Sequence, residues 1–260
     1  MLQNIDTAIL DIDGFIYDYD PSFIDICLQA AVDASAELLP SVAREQAIEL
    51  ANTSFDRFHD CFSAFLPLAE QNNIEREVLQ GRFQTLYHQS KLRQTREQNH
   101  PALAPKNELV TLITKARELG IQFICVTHSD KKEWTCPAFE RMGLIDLLPA
   151  DLIIDYADSG YENRSNTPKA INMAMQMTGS TPERTLIADD GVINLELGKS
   201  VHPQITTVLK TATPVDHPQV DLVITSPVQL ITKLIAARSE PIATQRTLQT
   251  TPYVMPEPLL

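Results

Sequence analysis

Paired carboxylates are the residues in this chain best placed to do chemistry. Asp11 and Asp13 close the stretch TAILDIDG, and Asp189 and Asp190 close TLIADDG. Each pair follows an apolar, β-rich run. A third such run, QFICVT, ends in Thr127 and leads into His128 and Ser129. Side chains alternate along an extended chain, which points Asp11 and Asp13 the same way. Like charges that close are costly unless a cation or a shared proton offsets them. Hard oxygen donors of this kind suit Mg²⁺, which takes a few carboxylates and keeps several waters. A bound ion would also screen an incoming phosphate. Each motif has a plain structural alternative: Asp caps helices, Asp-Asp before Gly191 makes turns, and Thr127 can be a strand-end hydroxyl. The group stands apart because its members fall at the ends of different predicted strands.

The elements that must position these residues are legible as alternation. Predicted strands cover 7–13, 122–127, 151–156, 185–190, 206–210 and 221–225. The first four are nearly continuous apolar runs, as parallel strands covered on both faces require. Helical patterns lie between them, as in PKNELVTLITKARELG and TPKAINMAMQMTG, and SPVQLITKLIAAR closes the series. Strand–helix alternation implies an α/β fold with a doubly wound parallel sheet, which binds ligands beyond the carboxyl ends of its strands. One interval breaks the rhythm. Residues 17–105 hold helix-like patterns and no convincing strand, too much chain for a loop. The expected organisation is an α/β core from 1–16 and 106–238, an inserted helical cap over 17–105, and a Pro- and Thr-rich flexible tail over 239–260. Within the cap, Phe55, Phe58, Phe62 and Phe65 read as a packed apolar core rather than a stacking surface.

Composition narrows the partners. The chain has 260 residues, is 43% hydrophobic and carries a net charge of −13, which argues against nucleic acid as the main partner. There is no membrane-length apolar run and no basic leader, so the expected location is the cytoplasm. Cys27, Cys61, Cys125 and Cys136 are scattered, without a metal-binding spacing, and read as reduced thiols.

ILDIDG, ICVTH and TLIADDGVINLELGK together resemble the haloacid dehalogenase-like hydrolase superfamily, over residues 5–235. The helical insert after the first strand resembles its helical-cap subtype. Tyr17, the stretch HSDKKEWTCPAFERMGLIDLLPADLIIDY and the stretch ADDGVINLELGKS resemble the pyrimidine 5′-nucleotidase-like phosphatases. The resemblance implies a Mg²⁺-dependent phosphoric monoester hydrolase acting on a small phosphorylated metabolite, with a nucleoside monophosphate as one class. It implies Asp11 as the nucleophile that forms an aspartyl-phosphate. It implies Asp13 as the acid that protonates the leaving group and then the base that activates water. Mg²⁺ would be held by Asp11, the backbone carbonyl of Asp13, Asp189 and Asp190. Thr127 would donate to a phosphoryl oxygen, and His128 would face substrate or cap. An acid at Asp13 suits a phosphatase and not a dehalogenase, which makes an alkyl ester and protonates no alkoxide there.

Two positions depart from the pattern. Phe15 stands where the family has Thr or Val. The lysine of the third motif aligns with Ser165 or with Arg164, and Lys169 lies about one turn later. The charge-offsetting cation is therefore expected from Arg164 or Lys169, which deliver charge with different geometry. Asn194 is expected to tie down the Asp189–Gly191 loop. The alternative function is a degenerate relative that binds a phosphorylated ligand or a protein without turnover.

Overall fold

The computed structural model describes residues 2–58, 61–97, 100–160, 162 and 167–239. Within these, six strands form one sheet: β1 (Thr7–Leu10), β2 (Gln122–Val126), β3 (Ile153–Ile154), β4 (Thr185–Asp189), β5 (Thr206–Lys210) and β6 (Leu222–Ile224). Their order is β3-β2-β1-β4-β5-β6, with every pairing parallel. Alternation splits the strand residues between two apolar layers. Ala8, Leu10, Phe123 and Leu186 pack on one face with residues of α5 (Asn107–Glu118), α6 (Cys136–Met142) and α9 (Pro227–Ser239). Ile9, Ile124 and Ile187 pack on the other with α7 (Lys169–Thr178) and α8 (Val192–Val201). Burial on both faces explains the unbroken apolar runs. It makes this an α/β fold with a doubly wound sheet.

Strand order reverses between β1 and β4, because β2 and β3 lie on one side of β1 while β4, β5 and β6 lie on the other. That crevice is where such sheets receive ligands. The register brings Leu10 beside Ala188, and the Asp11 amide donates to the Ala188 carbonyl at 2.9 Å. Asp11 and Asp189 therefore leave the sheet side by side.

Among the described residues, four α-helices lie between β1 and α5: α1 (Ser22–Leu38), α2 (Arg44–Phe58), α3 (Leu66–Gln71) and α4 (Arg76–Glu97). They share their own apolar cluster, which includes Leu39, Phe62, Phe65, Leu79 and Phe83; Tyr156, after β3, joins it from the sheet. Phe62 and Phe83 meet at 5.3 Å between centroids, and Phe65 is buried. The Phe58 ring lies outside the described set. Among the described residues no helix is long and apolar enough to cross a membrane.

Three expectations need correction. β1 ends at Leu10, not Asp13: Gly14 has φ +89°, and the Ile16 amide bonds back to the Ile12 carbonyl, so the chain turns where the strand was expected to continue. The segments expected as strands over 151–156 and 221–225 pair only at Ile153–Ile154 and Leu222–Ile224. Cys27 and Cys61 form a disulfide, while Cys125 and Cys136 are free. The fold brings α1 and the bend after α2 together so that the two cysteine Cα atoms stand 6.2 Å apart, a spacing that suits the bond. A separation of 34 residues does not announce it. The tail from 240 onward lies outside the described residues.

Candidate active site

The carboxyl edge of the sheet gathers three acids. Ligand oxygens of Asp11, Asp189 and Asp190 all lie within 4.8 Å of one another; Asp11 and Asp189 are buried and Asp190 is exposed. Asp189 is held in place by its surroundings. The Gly191 amide donates to its Oδ1 at 2.7 Å, and Asn194 Nδ2 reaches both its oxygens at 3.1 Å. Asp190 lies directly over Gly14, where a Cβ would stand 2.0 Å from Asp190 Oδ2. That position therefore excludes a side chain twice, by contact and by its left-handed backbone. Three converging hard-oxygen donors, two of them buried, are a donor set suited to Mg²⁺. Gly14→Ala is expected to displace Asp190, to cost about 1–3 kcal/mol of stability, and to remove most of the stabilisation by added Mg²⁺. Thermal melts with and without the ion measure both.

Asp13 does not join this cluster. Its carboxylate has a different set of partners, although it lines the same cavity as Asp11. Lys91 Nζ from α4 sits 2.6 Å from Asp13 Oδ1, and the Tyr17 hydroxyl donates to the same oxygen. Ser129 Oγ donates to Oδ2 at 2.7 Å and Thr127 Oγ1 lies 3.3 Å from it. Burial alone would raise this carboxyl. The Lys91 charge and the hydrogen bonds of Lys91, Tyr17 and Ser129 outweigh it and hold Asp13 well below the usual carboxylate range. The Asp13 backbone carbonyl, not the carboxylate, is its candidate donor to a metal.

Lys91 was not foreseen from the sequence. It is fully buried, with Nζ 4.0 Å from the Trp134 ring centroid and 4.6 Å from that of Phe23. Such faces stabilise an ammonium ion that has left water. Lys91 and Tyr17 are also bonded at 3.2 Å, and Trp134 Nε1 donates to the Tyr17 hydroxyl at 2.9 Å.

The other expected residues divide. Thr127 is buried at the end of β2, and its Oγ1 also accepts from the Ser129 amide at 3.0 Å. His128 packs edge-on against Tyr156 at 5.2 Å between centroids, and its carbonyl accepts from Gln84 Nε2 at 3.0 Å. Lys169 starts α7, is 44% exposed at its side chain and lies 4.0 Å from Glu162 Oε1. It is not among the residues lining the cavity described next. Arg164 and Ser165 lie outside the described residues. Phe15 is fully buried in the core and does not line the cavity.

A cavity of about 470 Å³ opens from the acids towards α4. Asp11, Asp13, Asp190, Thr127 and Ser129 form one end. The other end is mostly aromatic, with Phe55, Phe62, Phe83, Tyr87 and Tyr156. Gln84 and His88, also on α4, reach it as well. A small-molecule site of this size, largely apolar with a few convergent polar groups, is of the usual kind.

Residues 5–202 match the family model described as haloacid dehalogenase-like hydrolase. No curated protein matches the chain. Among solved structures, the chain is similar to a HAD phosphatase from Thermococcus onnurineus, at 16% identity and TM-score 0.55, covering 90% of this chain and 99% of that one. It is similar to a putative beta-phosphoglucomutase from Thermotoga maritima, at 14% identity and TM-score 0.52, covering 88% and 98%. A dehalogenase in an intermediate complex gives 10% identity and TM-score 0.51, covering 89% and 97%. At such identities the likeness is one of fold, and the three proteins are described by different reactions.

Proposed function

This chain belongs to the haloacid dehalogenase-like hydrolases, and we propose that it is a Mg²⁺-dependent phosphomonoester hydrolase working through an aspartyl-phosphate on Asp11. The observation that carries the reading is the convergence of Asp11, Asp189 and Asp190 within 4.8 Å, with Asp11 and Asp190 lining one end of the cavity together with Asp13. When bound, Mg²⁺ supplies positive charge against the phosphoryl oxygens. Asp11, Asp189, Asp190 and the Asp13 carbonyl would hold it.

The chain's own residues do the rest. An Asp11 oxygen attacks phosphorus and the ester oxygen departs. The negative charge of an incoming phosphate raises the Asp13 carboxyl towards the protonated form that the leaving alkoxide needs. Once the alkoxide has taken that proton, Asp13 is again an anion held by Lys91, Tyr17 and Ser129. In that form it accepts a proton from the water that attacks the aspartyl-phosphate. Thr127 and Ser129 orient Asp13 and offer hydroxyls beside the phosphoryl position.

We place the helices between β1 and α5 over this site as a cap, and assign a small phosphorylated metabolite as the substrate class. Neither nucleic acid nor membrane is assigned as a partner, and the charge of −13 supports the first exclusion. The narrower reading, a nucleotidase for pyrimidine nucleoside monophosphates, is supported by the motif resemblance and by the aromatic walls of the cavity.

One observation favours the second reading, a binder without turnover: the four donors around Asp13 leave it strongly committed. Turnover decides between them. Wild-type protein with Mg²⁺ is expected to release phosphate from at least one class in a panel of nucleoside, sugar and amino-acid monoesters, and to stop on chelation. Silence across the panel, with ligand binding retained, supports the binder.

A further inference from the structure

Helix α4 buries an unusual face. Gln80, Gln84, His88 and Lys91 recur at helical spacing on its inner side, all at 8% exposure or less, interleaved with Phe83 and Tyr87. Lys91 is committed to Asp13 and Gln80 Nε2 to the Tyr156 hydroxyl at 3.0 Å. Gln80, Gln84 and His88 are each committed only in part; Gln80 Oε1 is without a partner too, but Gln80 does not line the cavity. Gln84 Nε2 donates to the His128 carbonyl, which fixes the amide and leaves Oε1 as the free group. Among the described residues neither Gln84 Oε1 nor His88 Nδ1 has a hydrogen-bond partner, and both side chains line the cavity. A buried polar atom left unsatisfied costs about 1–3 kcal/mol. Two of them, one turn apart on the same wall, point to a ligand that completes them.

The surroundings restrict that ligand. Phe83 and Tyr87 lie parallel, 7° apart at 5.9 Å, and Phe62 leans on Phe83. Aromatic walls favour a flat ring and disfavour a second charge. Oε1 of Gln84 only accepts, so the ring must bring a donor. Burial pushes His88 down to about 3, so its neutral imidazole offers a donor or an acceptor according to tautomer. Gln84 and Lys91 are seven residues apart on one helix face, about 10 Å along the axis. Since Lys91 sits on Asp13, two turns from Gln84, the ring edge is offset along α4 from the reacting phosphate, and a spacer joins them.

We propose that Gln84 and His88 read the polar edge of an uncharged, planar, N–H-bearing ring, carried on a saturated spacer by the ester's leaving group. Gln84 accepts the ring N–H, His88 bonds its neighbour on the same edge, and Phe83, Tyr87 and Phe62 hold the faces. These residues determine specificity and take no part in bond breaking. The inference deepens the phosphatase reading and rests on it for where the ester sits.

Ring recognition can be measured without turnover. Phosphate-free nucleosides with a ring N–H (uridine, inosine and guanosine) and their ring-N-methylated counterparts serve as probes in calorimetric titrations of the intact chain. At least one nucleoside is expected to bind about 10–100-fold more tightly than its methylated form. Gln84→Met, with its melting temperature checked, is expected to erase that difference, and His88→Leu to weaken the parent nucleoside. Equal affinity for every pair, no binding by any, or discrimination that survives Gln84→Met overturns the proposal. Phosphate release from other esters with no nucleoside binding sinks this inference and spares the phosphatase reading. Nucleoside discrimination in a chain that hydrolyses nothing does the reverse.

Discussion

Asp11→Asn is expected to abolish phosphate release while leaving the protein folded. The amide keeps the size of the carboxylate but cannot form the acyl phosphate, so kcat is expected to fall on the order of 10⁴–10⁶-fold, the scale seen when a nucleophile is removed. The fold is expected to tolerate the change, because Asp11 is one of three acids whose oxygens lie within 4.8 Å. Removing one charge relieves repulsion when no cation is bound. The metal-free variant is therefore expected to melt no lower than wild type, and to gain less from added Mg²⁺. Wild-type turnover in Asp11→Asn would remove this residue from the chemistry. A variant that is dead because it is unfolded would fail the melting control and would not count in favour.

Lys91→Met is expected to be the most destabilising single change in the site. It leaves the Asp13 charge facing Tyr17, Ser129 and Thr127 with its countercharge gone. Breaking a buried pair from one side costs about 3–5 kcal/mol. The Asp13 side chain keeps 19% of its exposure, so the lower end, about 3 kcal/mol, is the expected value. For a chain of this size that is a fall of roughly 6–12 °C in melting temperature. The double variant Lys91→Met/Asp13→Asn is expected to recover much of the loss, because no unpaired charge remains. Activity is not expected to return, since Asp13 carries the proton. A double variant no more stable than Lys91→Met would show that Lys91 acts through aromatic packing, not through Asp13. Full activity in the single variant would separate the ion pair from catalysis.

Part of this site was legible because its residues sit where strands stop. Asp11, Asp189, Asp190 and Thr127 each follow an apolar run, and a parallel sheet brings the ends of such runs to one edge. Asn194 was legible for the same reason, one turn into the helix after β4. The Lys91, Tyr17 and Ser129 partners of Asp13 were not legible, because the period-two argument assumed a strand reaching residue 13 while β1 ends at Leu10. Lys91 was missed for a different reason. Hydrophobic patterning finds helix faces by their apolar residues, and α4 buries Gln80, Gln84, His88 and Lys91 alongside Leu79, Phe83 and Tyr87. A run of polar residues at helical spacing, with Phe83 and Tyr87 among them, was the available signal. Lys169 carried the right charge near the right motif, yet α7 starts it on the surface beside Glu162. The Cys27–Cys61 bond depended on how the bend after α2 meets α1, which no spacing encodes.

The central claim is that Asp11, Asp189 and Asp190 surround one divalent ion at the cavity floor. Anomalous scattering from crystals of the intact chain soaked in Mn²⁺, a hard-oxygen substitute for Mg²⁺, tests it most directly. The expected result is a single strong peak about 2 Å from carboxylate oxygens of Asp11 and Asp189, lost in Asp189→Asn crystals. A peak seated elsewhere, or none at a concentration that supports turnover, would contradict it.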